Sequence, residues 1–131
     1  MIAVGQSPKK SKVVILGLTF KENCPDTRNS KVDDIIKRLN EFEIYPVIVD
    51  PWANESDAMH EYGVTLTKLE NIKGADCIIV AVAHNEFKAL KLDDIKKLYR
   101  ECADKEKVLL DVKGIYKVEE LNKSGIKYWR L

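Results

Sequence analysis

The chain has 131 residues, 22 of them Lys or Arg and 21 Asp or Glu, for a formal net charge of +1. That length suits one domain around a single core, and 45% hydrophobic with 33% charged residues is a globular balance that excludes a disordered or membrane-embedded chain. A near-neutral total also excludes a broad basic field for unspecific nucleic-acid binding, so phosphate recognition has to come from a few placed side chains.

Residues 1–11 hold no continuous apolar core of signal-peptide type, and no later apolar run is long enough to span a bilayer. The first element is KVVILG, Lys12–Gly17, a continuous apolar run of the kind a strand shows when both of its faces are buried. After the loop Leu18–Asn29, one helical stripe carries Val32, Ile35, Ile36, Leu39 and Phe42, with Ser30 and Asp33 placed like a capping box. A second strand follows in YPVIVD, Tyr45–Asp50, with Pro46 at its start, where a missing N–H is tolerated. NESDAMHEYG predicts a short helix closed by Gly63, and VTLT a short third strand.

DCIIVAVA, Asp76–Ala83, is the clearest buried strand. LDDIKKLYREC aligns Leu92, Ile95, Leu98, Tyr99 and Cys102 on one predicted helix face. KVLLDV is another buried strand, KVEELNKSG a short helix and IKYWRL a final, half-exposed strand. Repeated strand–helix–strand units imply right-handed crossovers. The predicted fold is α/β: a Rossmann-like, doubly wound, mainly parallel sheet of about six strands in the order 3-2-1-4-5-6, in three αβα layers. Ligands of such a sheet sit beyond the carboxyl ends of the strands, near the switch between the first and fourth. The loops to inspect are therefore 18–29, 50–52, 83–87 and 111–116.

The first of these matches the dinucleotide pattern G-x-G-x-x-G only at Gly17, with Thr19 and Glu22 in the other two glycine positions. A side chain at Thr19 obstructs the close approach of a pyrophosphate, and Asp33 with Asp34 in the next helix's first turn would repel one. In place of glycines the loop offers Lys21 and Arg28, which are either solvated surface charges or ligand contacts at the switch point. Lys113, followed by Gly114, opens onto the same crevice, as an anion contact or as a turn decoration. Asp50 reads equally as a ribose-binding carboxylate and as the cap of the turn around Pro51. His84 reads as a ligand hydrogen bonder or as a loop histidine satisfied by backbone.

Three cysteines without a C-x-x-C pair point to a reducing cytoplasm rather than a disulfide framework. Cys77 and Cys102 fall on apolar positions and read as core. Cys24, near Lys21 and Arg28, is either a reactive thiolate or filler; no base accompanies it, and filler is the simpler reading. His60 and His84 have no ligand spacing, so no metal site is expected. A phospho-acceptor receiver domain would need clustered acids after the first strand, where this chain has Gly17-Leu18-Thr19.

GLTFKENCPDTRNSKV, followed in order by VDPW, AHNEF and DVKGIY, closely resembles the C-terminal, UDP-binding domain of the UDP-glucose/GDP-mannose dehydrogenase family. The resemblance covers Lys12 to Leu131, and the form FKENCPDTRN is most similar to the UDP-N-acetylhexosamine 6-dehydrogenases of that family. It implies a cytoplasmic, homo-oligomeric parent enzyme that oxidises a sugar's C6 alcohol to a carboxylate in two NAD-dependent steps, for polysaccharide precursors, through covalent intermediates on a cysteine. NAD then sits mainly on an N-terminal Rossmann domain, and a central helical domain completes the site. On this resemblance Phe20, Lys21 and Lys113 contact the UDP-sugar, and Arg28 reaches the NAD. Lys113 stands where much of the family has arginine. No catalytic residue of the family matches this chain, because the nucleophilic cysteine's glycine-flanked motif has no counterpart here and Cys24 is not that residue. The chain is then expected to divide into 1–11, the tail of an upstream helix and linker, and 12–131, the UDP-sugar-binding domain, inactive alone. The alternative is a free-standing nucleotide-binding regulatory module without catalysis.

Overall fold

A computed structural model of the chain describes residues 12–19, 32–101 and 103–130. Its first strand, β1 (Val13–Leu16), is buried along its whole length. Val14 and Leu16 enter one core with Val49, Ile78, Val80 and Leu109. Val13 and Ile15 enter the opposite one with Ile48, Cys77, Ile79 and Val108. A strand with a core on each face has no solvent side to be polar on, which is why its sequence does not alternate.

The other α-helices and strands among the described residues are α1 (Val32–Glu41), β2 (Val47–Val49), α2 (Glu55–Tyr62), β3 (Cys77–Val80), α3 (Asn85–Lys88), α4 (Leu92–Lys96), β4 (Val108–Asp111), α5 (Val118–Ser124) and β5 (Lys127–Arg130). The strands form one parallel sheet in the order β2-β1-β3-β4-β5. Val32 and Ile36 of α1 and Ala58 of α2 pack on one face, and Phe87 of α3, Ile95 of α4 and Leu121 of α5 on the other. This is the predicted three-layer, doubly wound arrangement, with five strands among the described residues rather than about six. The VTLT segment, expected as the third, makes only an isolated bridge from Leu66 to Ile48 and one bond from Thr67 N–H to the Ile48 carbonyl, 2.8 Å. It lies beside β2, where the third strand of the predicted order belongs.

Local signals place the helix ends. Asn54 Oδ1 accepts the N–H groups of Ser56 (2.8 Å) and Asp57 (3.2 Å), and Gly63 closes α2 at φ 68° with its N–H on the Met59 carbonyl. Two predicted helix faces are shorter in the structure. Phe42 lies beyond the end of α1 and is exposed, with the Arg38 guanidinium 5.3 Å from its ring centre. The helix expected over 92–102 stops at Lys96. There Ala75 takes over the chain: its N–H donates to the Leu98 carbonyl (3.0 Å), and its carbonyl accepts Arg100 N–H (2.9 Å). Strand-like pairing thus captures groups that a continuing helix would use internally. Leu98 and Tyr99 still reach the core, and Cys102 lies outside the described residues.

At the amino edge of the sheet, the Asp76 carboxylate accepts Lys12 N–H (2.7 Å) and Arg100 Nε–H (2.6 Å). Among the described residues no helix is long and apolar enough to cross a membrane.

Candidate functional site at the carboxyl edge of the sheet

The chain leaves β2 into Asp50, whose side chain is fully buried. Its Oδ2 accepts Leu18 N–H at 2.6 Å and Thr19 N–H at 3.0 Å, both from the end of β1. Its Oδ1 accepts the N–H groups of Trp52 (2.8 Å) and Ala53 (3.0 Å) in its own turn. His84, which follows β3 and opens α3, brings Nε2 to 2.9 Å from Oδ2. The same nitrogen is 3.1 Å from Thr19 Oγ1. The imidazole is buried between Trp52 (centroids 6.2 Å apart, 26° between planes) and Phe87 (5.5 Å, 52°). One buried carboxylate therefore ties together the ends of β1, β2 and β3, at the point where the strand order reverses.

This decides between the two readings of Asp50. Its oxygens are committed to protein donors, so it caps the turn at Pro51 and does more: it holds the β1 loop. It is not available to a ribose. His84 is satisfied by the Asp50 side chain rather than by backbone alone. Leu18 and Thr19, the described start of the β1 loop, form no pyrophosphate cradle, but for a different reason from the one the sequence suggests. Thr19 is 1% exposed, so its side chain does not stand in the crevice; the Leu18 and Thr19 amides point inward at Asp50, and they cannot also cradle a phosphate.

Burial alone would push the Asp50 carboxyl up. The hydrogen bonds from His84 and from the Leu18 and Thr19 amides outweigh it, and the net shift is below the usual carboxylate value. A lowered folded-state pKa stabilises the protein above the unfolded-state value of about 4, and that contribution is lost as pH falls through the folded-state value. Urea denaturation below pH 4 should therefore show the stability gap between the native protein and Asp50→Asn closing as pH drops. A gap independent of pH would contradict this account.

A second buried carboxylate shapes the loop that carries Lys113. Asp111, at the end of β4, accepts Ile115 N–H on Oδ1 (3.0 Å) and Tyr116 N–H on Oδ2 (2.9 Å), while its carbonyl receives Gly114 N–H (3.3 Å). Gly114 takes φ 66°, a left-handed conformation suited to glycine. Val112 N–H donates to the Val80 carbonyl (3.1 Å) and anchors the loop to β3. Lys113 is left exposed in this turn, its charge free to meet an anion. The sequence offered a signal for both carboxylates, since each Asp ends a strand immediately before a Pro- or Gly-containing turn. Nothing local marked Thr19 as the partner of His84, or Trp52 as its cover.

Phe20, Lys21, Arg28 and Cys24 lie outside the described residues. Cys77 is buried in β3, and burial pushes its thiol up to about 12, so it stays protonated near neutral pH and is no nucleophile. No group of three potential metal ligands gathers among the described residues. Two cavities flank the site. A cleft of about 390 Å³ lies beside Asp50 and Pro51, between Leu66, Leu69 and Phe87. A wider groove of about 600 Å³ runs from Lys88 and Lys91 to Tyr116 and Lys123, and it contains no residue of the β1 or β2 loops.

Residues 14–118 match the model of the UDP-glucose/GDP-mannose dehydrogenase family, UDP binding domain. The UDP-N-acetyl-D-glucosamine 6-dehydrogenase of Pseudomonas aeruginosa is 48% identical over 103 residues, which are 79% of this chain and 24% of that enzyme. The UDP-N-acetyl-D-mannosamine dehydrogenase of Methanococcus vannielii is 37% identical over 120 residues, 91% of this chain and 26% of that one. The chain thus spans about a quarter of the length of these curated relatives. In structure, the NDP-N-acetyl-D-galactosaminuronic acid dehydrogenase of Methanosarcina mazei superposes with a TM-score of 0.82 at 24% identity, over 98% of this chain and 26% of that one; this likeness concerns the fold.

Proposed function

Because the chain belongs to the UDP-glucose/GDP-mannose dehydrogenase family through its UDP-binding domain, we propose that it is the nucleotide-sugar-binding, C-terminal part of a cytoplasmic, NAD-dependent UDP-N-acetylhexosamine 6-dehydrogenase. The observation that carries this reading is the inward turn of the Leu18 and Thr19 amides onto Asp50. With those two amides taken up, recognition of a diphosphate beside them falls to side chains. Lys113, exposed in a turn held by Asp111, is one such group, and Phe20 and Lys21 are proposed as its partners on the UDP-sugar.

The same observation does not fit a resident dinucleotide. NAD, which would accept hydride in the whole enzyme, is proposed to sit mainly on an upstream domain and to reach this one at Arg28. Residues 1–11 are proposed as the connection to that domain, and 12–131 as the binding unit. The part this chain plays is then to bind and orient the substrate rather than to carry out its oxidation. Lys113 supplies a compact point charge where arginine would supply a two-pronged contact.

The test is titration of the 131-residue chain with UDP, followed by amide shift mapping. Weak binding is expected, with a free energy of about −4 to −6 kcal/mol, because exposed lysines meeting phosphate are screened by water and salt. Perturbations should centre on Lys113 and Gly114 and fade as salt rises. Lys113→Ala should weaken UDP about tenfold, the scale of one lost charge-assisted contact. Saturable NAD binding centred on Gly17, with UDP silent, would overturn the assignment.

A further inference from the structure

We propose that the lysine-rimmed groove beside α4 and α5 receives helix α2 of a second copy of this chain. The proposal is independent of the UDP reading, because Lys113 is not among the residues that line the groove. The floor is apolar and built in advance. Leu90, Leu92 and Ile115 are half-buried there, and the Tyr116 hydroxyl donates to the Leu90 carbonyl at 2.8 Å, tying one wall to the other. The rim carries Lys88, Lys91, Lys96, Lys117 and Lys123 against Asp93 and Glu120. In a chain whose total is +1, that is a concentration of positive charge. It fits an occupant with an apolar knob and an acidic surround.

Such an occupant exists on the opposite layer. Residues 32–66 contain eight Asp or Glu and two Lys or Arg, and of those acids Asp50 is the buried clamp. On α2, Glu55 and Asp57 are exposed, and Met59, one turn after Glu55, is 49% exposed. An unbranched thioether adapts to an irregular apolar floor, while the carboxylates beside it can meet lysines on the rim. Ala58 anchors α2 on one face of the sheet, and the floor of the groove belongs to the other face. The sheet therefore keeps a copy from filling its own groove. The contact is heterologous: each copy offers a groove to one neighbour and a helix to another, so association does not stop at a symmetric pair. One helix of eight residues in one groove is a small interface, and its binding is weak.

Sedimentation velocity of the full 131-residue chain tests this. Average mass should climb with concentration, with a dissociation constant of about 0.1–1 mM at about 20 mM salt, and fall back toward the monomer at about 0.5 M salt. Lys88→Glu with Lys117→Glu should spoil the groove, and Glu55→Lys with Met59→Lys should spoil the helix. All four positions are exposed, so neither double variant should unfold. Each double variant alone should be monomeric over the same range. Mixed, they should form a 1:1 dimer and nothing larger, because each keeps the half that the other lacks. Should the double α2 variant fold poorly, Met59→Ser alone, with every charge intact, should weaken association about fivefold. The proposal is overturned if the native chain stays monomeric at about 1 mM in low salt. It is equally overturned if either double variant associates as the native chain does, or if the mixture of the two monomeric variants stays monomeric.

Discussion

Replacing Asp50 with alanine is expected to lower the unfolding free energy by about 3–5 kcal/mol, the cost of removing one partner from a buried charged hydrogen-bond cluster. The substitution strands five donors at once: the amides of Leu18, Thr19, Trp52 and Ala53, and His84 Nε2. Each buried donor left without an acceptor costs about 1–3 kcal/mol, less whatever relaxation and water entry recover. The side chain has no exposure to soften the loss. Asp50→Asn should fare little better, since its amide nitrogen would confront donors. Urea denaturation at neutral pH reads the effect as a lower midpoint at unchanged slope. A loss below about 1 kcal/mol would mean that the three strand ends hold together without the carboxylate.

Gly17→Ala should be damaging to a similar degree, about 2–6 kcal/mol, by a different route: backbone strain and overpacking each contribute about 1–3 kcal/mol. Gly17 sits at φ 111°, where an L side chain is strained whatever the space around it. There is also no space. A Cβ would stand 2.5 Å from Val82 Cβ, 2.7 Å from its Cγ2 and 2.8 Å from its backbone nitrogen. The approach is close because β1 and β3 are paired neighbours: the Leu16 carbonyl takes the N–H groups of Ala81 (3.0 Å) and Val82 (3.3 Å), while on the β2 side Gly17 N–H donates to the Val49 carbonyl (2.8 Å). Val82→Ala should not rescue Gly17→Ala, because it removes only the Cγ contact and leaves the Cβ and the backbone nitrogen in place. Thermal melts of the two single variants and the double variant decide this. Full rescue would mean that the clash is confined to a flexible side-chain tip.

The pattern of apolar runs in the amino-acid sequence determined the architecture. Runs such as VVIL and CIIV have no polar alternation because each strand faces a core on both sides, and helical stripes between them allow only parallel crossovers. Glycine and asparagine signals placed the ends of α2 correctly, because capping is settled by residues a few positions apart. The motif spacing was likewise enough to identify the family, and the Gly114 turn after β4 was legible because a turn beside a strand end is local. What ended the helix at Lys96 was not legible: helical periodicity continues through Tyr99, and only the presence of Ala75 alongside converts those residues to strand-like pairing. The third strand also failed for a tertiary reason, since VTLT meets β2 at a single point. Above all, the role of Asp50 belongs to the fold. Its partners at Leu18, Thr19 and His84 are 32, 31 and 34 residues away, and no local spacing encodes a hydrogen bond between strand ends. An acidic residue after the second strand is compatible with a ribose or a turn, and it becomes a clamp only once the parallel sheet lays the exits of β1, β2 and β3 side by side. There a desolvated carboxylate and the otherwise unpaired amides around it have to satisfy one another.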